Sequence, residues 1–197
     1  LGQDLIARIL REAARQEKLA HAYIFTGPRG TGKTTAARLI AKVANCKKRF
    51  EDEKFHKLGE PCNECLNCRE IDEGLSFDVI EIDAASNRGI DEIRDLKENV
   101  RVSPTSSRFK VFIIDEAHML TKDAWNALLK TLEEPPPYVI LILATTEIEK
   151  IPARIASRAQ QFYFKRANFQ QIVDKLKCIA EKENIAIDNE ALDLIAA

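Results

Sequence analysis

Residues 23–35 read Tyr-Ile-Phe-Thr-Gly-Pro-Arg-Gly-Thr-Gly-Lys-Thr-Thr, and this stretch indicates the fold class. Its first four residues form a short apolar run that ends in glycines, which predicts a buried strand. Gly27–Thr34 then fits the pattern G-x-x-x-x-G-K-[ST], and helical spacing follows from about Lys33 to Val43. Strand, glycine-rich loop and helix in this order are the context that a phosphate-binding loop requires. We therefore predict a P-loop nucleotide-binding domain of the α/β class.

The residue types of this loop indicate its chemistry. Glycines let backbone N–H groups converge on a phosphate, and the helix N-terminus adds partial positive charge. Lys33 would reach the β- and γ-phosphates of a nucleotide, and the hydroxyl of Thr34 would bind Mg²⁺. A glycine-rich turn that merely caps the helix is the alternative. We assign nucleotide binding to Gly27, Arg29, Gly30, Thr31, Gly32, Lys33, Thr34 and Thr35.

Two acids follow the apolar run Val111–Ile114, at the end of the strand where α/β sheets bind ligands. Asp115 would hold Mg²⁺ and Glu116 would polarise the attacking water, which favours hydrolysis over binding alone. A solvated strand end followed by helix-capping acids is the alternative. The next strand pattern, Val139–Ala144, ends in Thr145-Thr146-Glu147, where a polar side chain would lie beside these acids and sense the γ-phosphate. Threonine is also a good strand former, which leaves a purely structural role open.

Strand and helix patterns alternate through the rest of the chain. Further strands are predicted at residues 78–83, 110–115, 138–145 and 161–164, and further helices at 5–14, 90–100 and 122–134. This alternation predicts a mostly parallel sheet that is covered on both faces. After Phe164 the pattern is helical to the end, which indicates the start of a small helical second domain.

Four of the five cysteines lie close together, with two-residue spacers between the last three: Cys46, Cys62, Cys65 and Cys68. Such spacers let thiolates converge on one ion, and four thiolates make a closed structural zinc site. Residues 46–70 lose periodicity, and we interpret them as an insertion. An iron–sulfur cluster is the alternative, but the ferredoxin pattern continues with x₃-C-P, and Asp72 stands at the matching position. Cys178, on an apolar helix pattern, is interpreted as a core residue.

Composition excludes several other classes. The chain has 30 Lys+Arg against 31 Asp+Glu and a net charge of -1, which argues against a protein that binds nucleic acid through a wholly basic surface. No apolar run reaches the about 18 residues that a membrane span needs, and no secretory pattern is present. We therefore expect a cytoplasmic protein. Leu1-Gly2-Gln3 lacks an initiator Met, so we expect a fragment of a longer chain.

Together these features resemble the gamma/tau subunits of bacterial DNA polymerase III, the AAA+ motor subunits of the sliding-clamp loader. Beside the phosphate loop and the cysteines, three segments carry the resemblance: Asp83–Ser86, Ile114–Leu120 and Leu128–Pro136. The resemblance implies an AAA+ nucleotide-binding domain with a five-stranded sheet over residues 1–164, including a zinc-binding insertion at about 46–70. It also implies that residues 165–197 begin a helical lid domain, which is truncated here.

The resemblance further implies the activity and its partners. ATP hydrolysis with Mg²⁺ would open the ring clamp and place it on primer–template DNA, in a hetero-oligomeric ring with other clamp-loader subunits. Arg158, in Ser157-Arg158-Ala159 where the family has Ser-Arg-Cys, would supply an arginine finger to the neighbouring subunit, and Thr146 would be the sensor. The family's second sensor arginine and its collar domain would lie beyond residue 197. Basic residues that would face DNA, unless they belong to ordinary solvated helix faces, are Arg88, Arg94 and Lys130.

Two other classes stay open at this point. The string Asp115-Glu116-Ala117-His118 beside a phosphate loop is typical of DEAH-type helicases, although such a helicase needs a second motor domain and the chain carries no second set of motifs. A nucleotide-binding scaffold with a structural zinc that hydrolyses nothing is the other alternative, and Glu116 argues against it.

Overall fold

A computed structural model of the chain describes residues 2–86, 96 and 98–196, and a parallel sheet lies at its centre. The strands are β1 (Ala22–Thr26), β2 (Val79–Asp83), β3 (Lys110–Asp115), β4 (Val139–Thr145) and β5 (Gln160–Tyr163). They form a five-stranded sheet in the order β2-β3-β4-β1-β5, and each neighbouring pair is parallel. The predicted α/β class and the five-stranded, mostly parallel sheet are therefore confirmed.

Helices surround the sheet and agree with most of the predicted pattern. They are α1 (Asp4–Arg15), α2 (Lys33–Asn45), α3 (Lys47–Glu51), α4 (Glu53–His56), α5 (Leu66–Glu73), α6 (Lys122–Glu133), α7 (Ala153–Ala156), α8 (Phe169–Glu183) and α9 (Asn189–Ala196). Two 3₁₀ turns span Ala117–Met119 and Ile148–Lys150. The helix predicted over residues 90–100 lies mostly outside the described residues. No helix in the described parts of the chain is both long and apolar enough to cross a membrane.

The central strands are apolar along their whole length because helices cover both faces of the sheet. All residues of β1 and β4 are buried. On one face Ile24 and Phe112 pack with Trp125 of α6, and on the other Phe25 packs with Ile40 of α2. These two cores fix the order of the strands and bring the carboxyl ends of β3, β4 and β1 side by side at one edge.

The cysteine-containing segment consists of three short helices that dock on the carboxyl ends of α1 and α2. The buried Arg49 guanidinium donates hydrogen bonds to Val43 O and, at 2.8 Å, to Ala14 O. His56 Nε2 lies 3.1 Å from Arg15 O. Lys42 Nζ of α2 pairs with Asp72 of α5 at 2.7 Å. The contacts of Arg49 and His56 add hydrogen bonds to carbonyls at the helix ends, and the pair of Lys42 with Asp72 joins α5 to α2.

The last two helices follow β5 and bury few side chains. A capping box between Asn168 and Gln171 begins α8, and Asn184 in the left-handed conformation ends it. The buried residues of the pair are Val173, Leu192 and Ala196. The helical pattern predicted after Phe164 is therefore present.

Candidate nucleotide site and candidate metal centre

The loop between β1 and α2 has a backbone that favours glycine at three points, Gly27, Gly30 and Gly32. Gly27 has φ +145°, and a Cβ there would collide with the backbone carbonyl of Phe164. Gly32 has φ +95° at the start of α2, and nothing lies within 4 Å of the position that its Cβ would take. The loop therefore leaves open space in front of the helix N-terminus, where backbone N–H groups attract anions.

Lys33 is buried at the base of this loop. Its Nζ donates to Gly27 O at 2.9 Å and to Pro28 O at 3.0 Å. Burial lowers the pKa of Lys33, while the carboxylates of Glu116 and Asp115 act in the opposite direction. A phosphate in the loop would add further negative charge beside this ammonium group. The position and the charge of Lys33 fit the predicted contact with a nucleotide phosphate.

Thr34 and Asp115 meet across the gap between α2 and β3. Thr34 Oγ1 donates to Asp115 Oδ2 at 2.6 Å. A hydroxyl and a carboxylate are oxygen ligands of the kind that Mg²⁺ prefers, and an ion bound by both would take the place of the hydrogen bond between them. The two predicted Mg²⁺ ligands are thus close enough to bind one ion.

Two cavities meet at the loop. One, of about 440 Å³, lies over the phosphate-binding backbone and is bounded by Lys33, Thr34, Asp115 and Glu116. The other, of about 640 Å³, extends towards the beginning of the chain and towards α8. Residues that line both cavities are Arg29, Gly30, Gly32 and Thr35, and those that line only the second include Gln3, Thr31, Leu39, Phe164 and Ile172. The first cavity has charged and hydroxyl side chains for phosphates, and the second is mostly apolar, as suits the base of a nucleotide.

Glu116 lies at the carboxyl end of β3 with an unusual backbone. Its φ and ψ are 47° and 43°, a left-handed conformation that few residues other than glycine adopt. Its carboxylate Oε2 lies 3.4 Å from Thr146 Oγ1, at the end of the neighbouring strand. The side chain of Glu116 is 22% exposed, and His118 Nδ1 lies 3.5 Å from the same oxygen. The structure therefore brings the predicted water-activating acid and the predicted sensor together at the edge of the phosphate cavity.

Arg158 lies apart from this site. It follows α7, and its guanidinium contacts Glu133 at 3.1 Å and Arg154 O at 2.8 Å. It does not line the phosphate cavity of its own chain. Of the residues predicted to face DNA, Lys130 is exposed on α6, whereas Arg88 and Arg94 fall outside the described residues.

The four clustered cysteines converge at the end of α2. The Sγ atoms of Cys46, Cys62, Cys65 and Cys68 all lie within 4.8 Å of one another, and Cys46 and Cys68 are buried. Tetrahedral thiolates about 2.3 Å from one zinc ion stand close to 3.8 Å apart. Cys62 Sγ and Cys68 Sγ are 4.0 Å apart. The cluster therefore has the number of ligands, the ligand type and nearly the spacing of a structural zinc site.

The electrostatics of the cluster also favour a cation. Burial raises the pKa of the Cys46 and Cys68 thiols. At Cys62 burial acts in the same direction, but hydrogen bonds from the backbone N–H groups of Glu64 and Cys65 outweigh it and lower the pKa to about 7. Four thiolates this close together would repel one another, so a bound divalent ion would be needed to keep all four deprotonated.

Sequence reasoning missed several residues around the nucleotide cavities. Phe164 and Ile172 form part of the second cavity, but on the sequence they only mark the end of a strand pattern and the apolar face of a helix. His118 was noted only as the last letter of a helicase-like motif. Only its neighbours in the folded chain indicate a role for it.

The phosphate loop, the acids at the end of β3 and the strand order together define an AAA+ P-loop NTPase domain. The fold is similar to that of the RuvB Holliday junction branch migration motor of Thermotoga maritima, with TM-score 0.64 and 19% identity over 100% of this chain and 56% of that chain. It is also similar to a DNA polymerase III gamma subunit-related protein of Thermotoga maritima, with TM-score 0.53 and 21% identity over 100% of this chain and 57% of the other.

The chain belongs to the family whose model is described as DNA polymerase III, delta subunit, which matches residues 2–168. It is 51% identical over 197 residues to the DNA polymerase III subunit tau of Bacillus subtilis (strain 168), covering 100% of this chain and 34% of that protein. With the subunit tau of Escherichia coli (strain K12) it shares 45% identity over 196 residues, which cover 100% of this chain and 29% of that protein. The chain thus spans about a third of the length of these relatives, and the predicted resemblance to gamma/tau subunits is confirmed.

Proposed function

We propose that this chain is the nucleotide-binding part of a clamp-loader motor subunit that hydrolyses ATP with Mg²⁺. The observation that carries the proposal is the position of Glu116, whose carboxylate lies beside Thr146 at the phosphate cavity. Asp115, next to it in sequence, is held by Thr34. A scaffold that only binds nucleotide has no use for a second acid at this point. In this proposal residues 1–164 form the nucleotide domain, and residues 165–197 begin the lid.

The proposed reaction assigns one task to each of these side chains. Lys33 and the backbone of the loop hold the β- and γ-phosphates in line with the attacking water. Glu116 polarises that water, and the hydroxyl of Thr146 contacts the γ-phosphate. Mg²⁺, when bound to Thr34 and Asp115, neutralises charge that develops on the phosphates. Because hydrolysis removes the γ-phosphate, the contacts of Lys33 and Thr146 would change with each turnover.

The proposed partners follow from the relatives, which are named as subunits of DNA polymerase III. We assign to the longer protein a ring of clamp-loader subunits, the sliding clamp and primer–template DNA, and with them a cytoplasmic role in DNA replication. Lys130 on the exposed face of α6, together with Arg88 and Arg94, would contact the phosphate backbone without reading sequence. The cysteine cluster would hold zinc with a structural task only, because four protein ligands leave no open position.

The experiment that tests this function is an ATPase assay on the full-length protein with its partner subunits. We expect turnover to be faster with the clamp and primer–template DNA together than with either alone, because only the complete assembly orders all of its nucleotide sites. A helicase would instead separate strands without any clamp, and a scaffold would bind ATP without turnover under every condition. Either result would overturn the proposal.

A second prediction concerns Arg158. If its guanidinium acts on the ATP of the neighbouring subunit, mixed assemblies of Arg158→Ala and Lys33→Ala subunits should regain part of the turnover that each variant lacks alone. Rescue is expected because the Lys33 variant, which cannot use its own ATP, still offers an intact arginine to its neighbour. The contact between Arg158 and Glu133 is half-exposed, so breaking it is expected to cost at most about 1 kcal/mol.

The matched control for this experiment is Arg154→Ala, four residues earlier in the same segment. We expect this variant to retain turnover without any mixing. The assignment of Arg158 is wrong if no mixing ratio of the Arg158 and Lys33 variants restores hydrolysis. It is also wrong if Arg154→Ala loses turnover and Arg158→Ala does not.

A further inference from the structure

His118 lies between the ends of β3 and β4, and its side chain is only 7% exposed. On one side its Nε2 is 3.1 Å from Glu147 Oε1. On the other side its Nδ1 is 3.0 Å from Thr145 Oγ1 and 3.5 Å from Glu116 Oε2. The ring thus connects two carboxylates that belong to two neighbouring strand ends.

The partners of the ring fix where its proton lies. A carboxylate only accepts hydrogen bonds, so the contact with Glu147 requires the proton on Nε2. Thr145 Oγ1 accepts the backbone N–H of Glu147 at 3.0 Å, which leaves the hydroxyl proton of Thr145 free to point at Nδ1 of a neutral ring. Glu116 gains a donor only from a ring that carries a proton on both nitrogens, so this is the form in which the ring supports both carboxylates at once. In both forms Glu147 holds the ring in one orientation, in the way that carboxylates orient ligand histidines.

The residues on either side of the predicted sensor both contact the ring. Thr145, the last residue of β4, and Glu147 contact the ring, and Thr146 lies between them in the sequence. The hydroxyl of Thr146 itself lies 3.4 Å from Glu116 Oε2. A shift of this turn would therefore act on the ring and on the Thr146 hydroxyl beside Glu116 at the same time.

We propose that His118 is a positioning residue that holds the Glu116 carboxylate in place relative to the turn at residues 145–147. This inference rests on the proposed function, because it takes Glu116 as the group that polarises water. The left-handed backbone of Glu116 places its side chain after the end of β3, where Thr146 and His118 contact the carboxylate. When the γ-phosphate contacts Thr146, the ring transmits the resulting shift of the turn to Glu116.

The test uses the full-length protein with its partner subunits and measures kcat and KM for ATP separately. His118→Ala is expected to lower kcat about tenfold, the lower end of the about 10–100-fold cost of removing a residue that orients a metal ligand, and to leave KM within about twofold of the starting protein. Such a split means that support was lost in the transition state and not in ATP binding. A rise in KM with unchanged kcat would overturn the proposal.

Two conservative variants separate the two sides of the ring. The amide nitrogen of an Asn side chain replaces Nδ1, and that of a Gln side chain replaces Nε2. His118→Asn should regain most of the lost kcat, because it restores a donor beside Glu116, whereas His118→Gln should regain little. The reverse order would mean that only the contact with Glu147 matters and would overturn the proposal. These variants also decide the question if His118→Ala fails to fold.

A double-variant experiment tests whether Glu147 acts through the ring. Glu147→Ala is expected to lower kcat less than His118→Ala does, and the double variant should be no slower than His118→Ala alone, because both changes break the same connection. Losses that add in full would contradict this. The matched control is Glu149→Ala, which removes an exposed acid from the 3₁₀ turn that follows Glu147 and should leave kcat unchanged.

Glu116→Gln separates failure of this inference from failure of the proposed function. If Glu116→Gln abolishes turnover while His118→Ala retains full kcat, the proposal for His118 fails and the proposed ATPase stands. If Glu116→Gln itself retains turnover, Glu116 is not the water-polarising group, and both assignments fail.

Discussion

Glu116→Gln in the full-length protein is expected to lower ATP turnover at least a hundredfold, in the range of about 10²–10⁴ that general-base groups contribute. ATP binding should stay the same. The amide has the same shape as the carboxylate but cannot accept a proton from water or polarise it. Because Lys33, Thr34 and the loop backbone are unchanged, the ground-state contacts with the phosphates are retained. The variant subunit is expected to bind ATP and to keep it unhydrolysed.

The measurement needs the dissociation constant for ATP and the turnover rate on the same sample. Glu149→Gln makes the same chemical change at an exposed acid outside the site and should behave as the unmodified protein does. Turnover of the Glu116 variant within about threefold of this control, far from the loss expected for a general base, would remove Glu116 from the mechanism. Loss of binding would instead mean that the carboxylate supports the loop through its effect on Lys33.

Loss of the proposed zinc ion is the second change with a large expected effect. We expect metal analysis to find about one zinc per chain, and we expect chelation or Cys68→Ser to lower the midpoint of thermal unfolding sharply. Structural zinc sites contribute about 10 kcal/mol or more of binding free energy, and part of it is folding free energy. The effect should reach α1 and α2, because Arg49 and His56 attach the cysteine segment to the ends of these helices.

Two features make this experiment specific. Cys178→Ser changes a cysteine on α8, outside the cluster, and should leave the zinc content unchanged. Nucleotide binding should persist in metal-depleted protein below its unfolding temperature, because the cluster follows the carboxyl end of α2 and the phosphate loop precedes its amino end. The 13 residues of that helix span about 20 Å. An iron chromophore in the purified protein would refute the zinc assignment.

The phosphate loop shows how far local sequence determines the site. Gly27, Gly32 and Lys33 can be assigned from the spacing of residue types alone, because loops of this pattern bind phosphate mainly through their own backbone and one side chain. Asp115 and Glu116 were predicted because acids that follow an apolar strand lie at the carboxyl edge of a parallel sheet, where such sheets bind ligands. In each case the functional groups lie within a few residues of one another, so a short pattern contains them.

Arg158 and His118 show where this reasoning ends. For Arg158 the sequence indicates an arginine after a short helix, and its proposed partner belongs to another subunit. His118 stands out in the sequence only as part of a helicase-like motif, and the residues that it contacts, Thr145 and Glu147, lie about 30 residues away along the chain. No pattern within one segment reports a contact between two segments.

The sequence by itself determined the class of fold, the phosphate loop, the acids that follow β3 and the set of cysteines, because periodicity, glycine spacing and thiol spacing act over short stretches of chain. The tertiary structure decided the strand order β2-β3-β4-β1-β5 and with it every contact across strand ends. The physical reason is that two packed cores select which strands become neighbours. Only that selection brings Thr34 to Asp115 and Thr146 to Glu116.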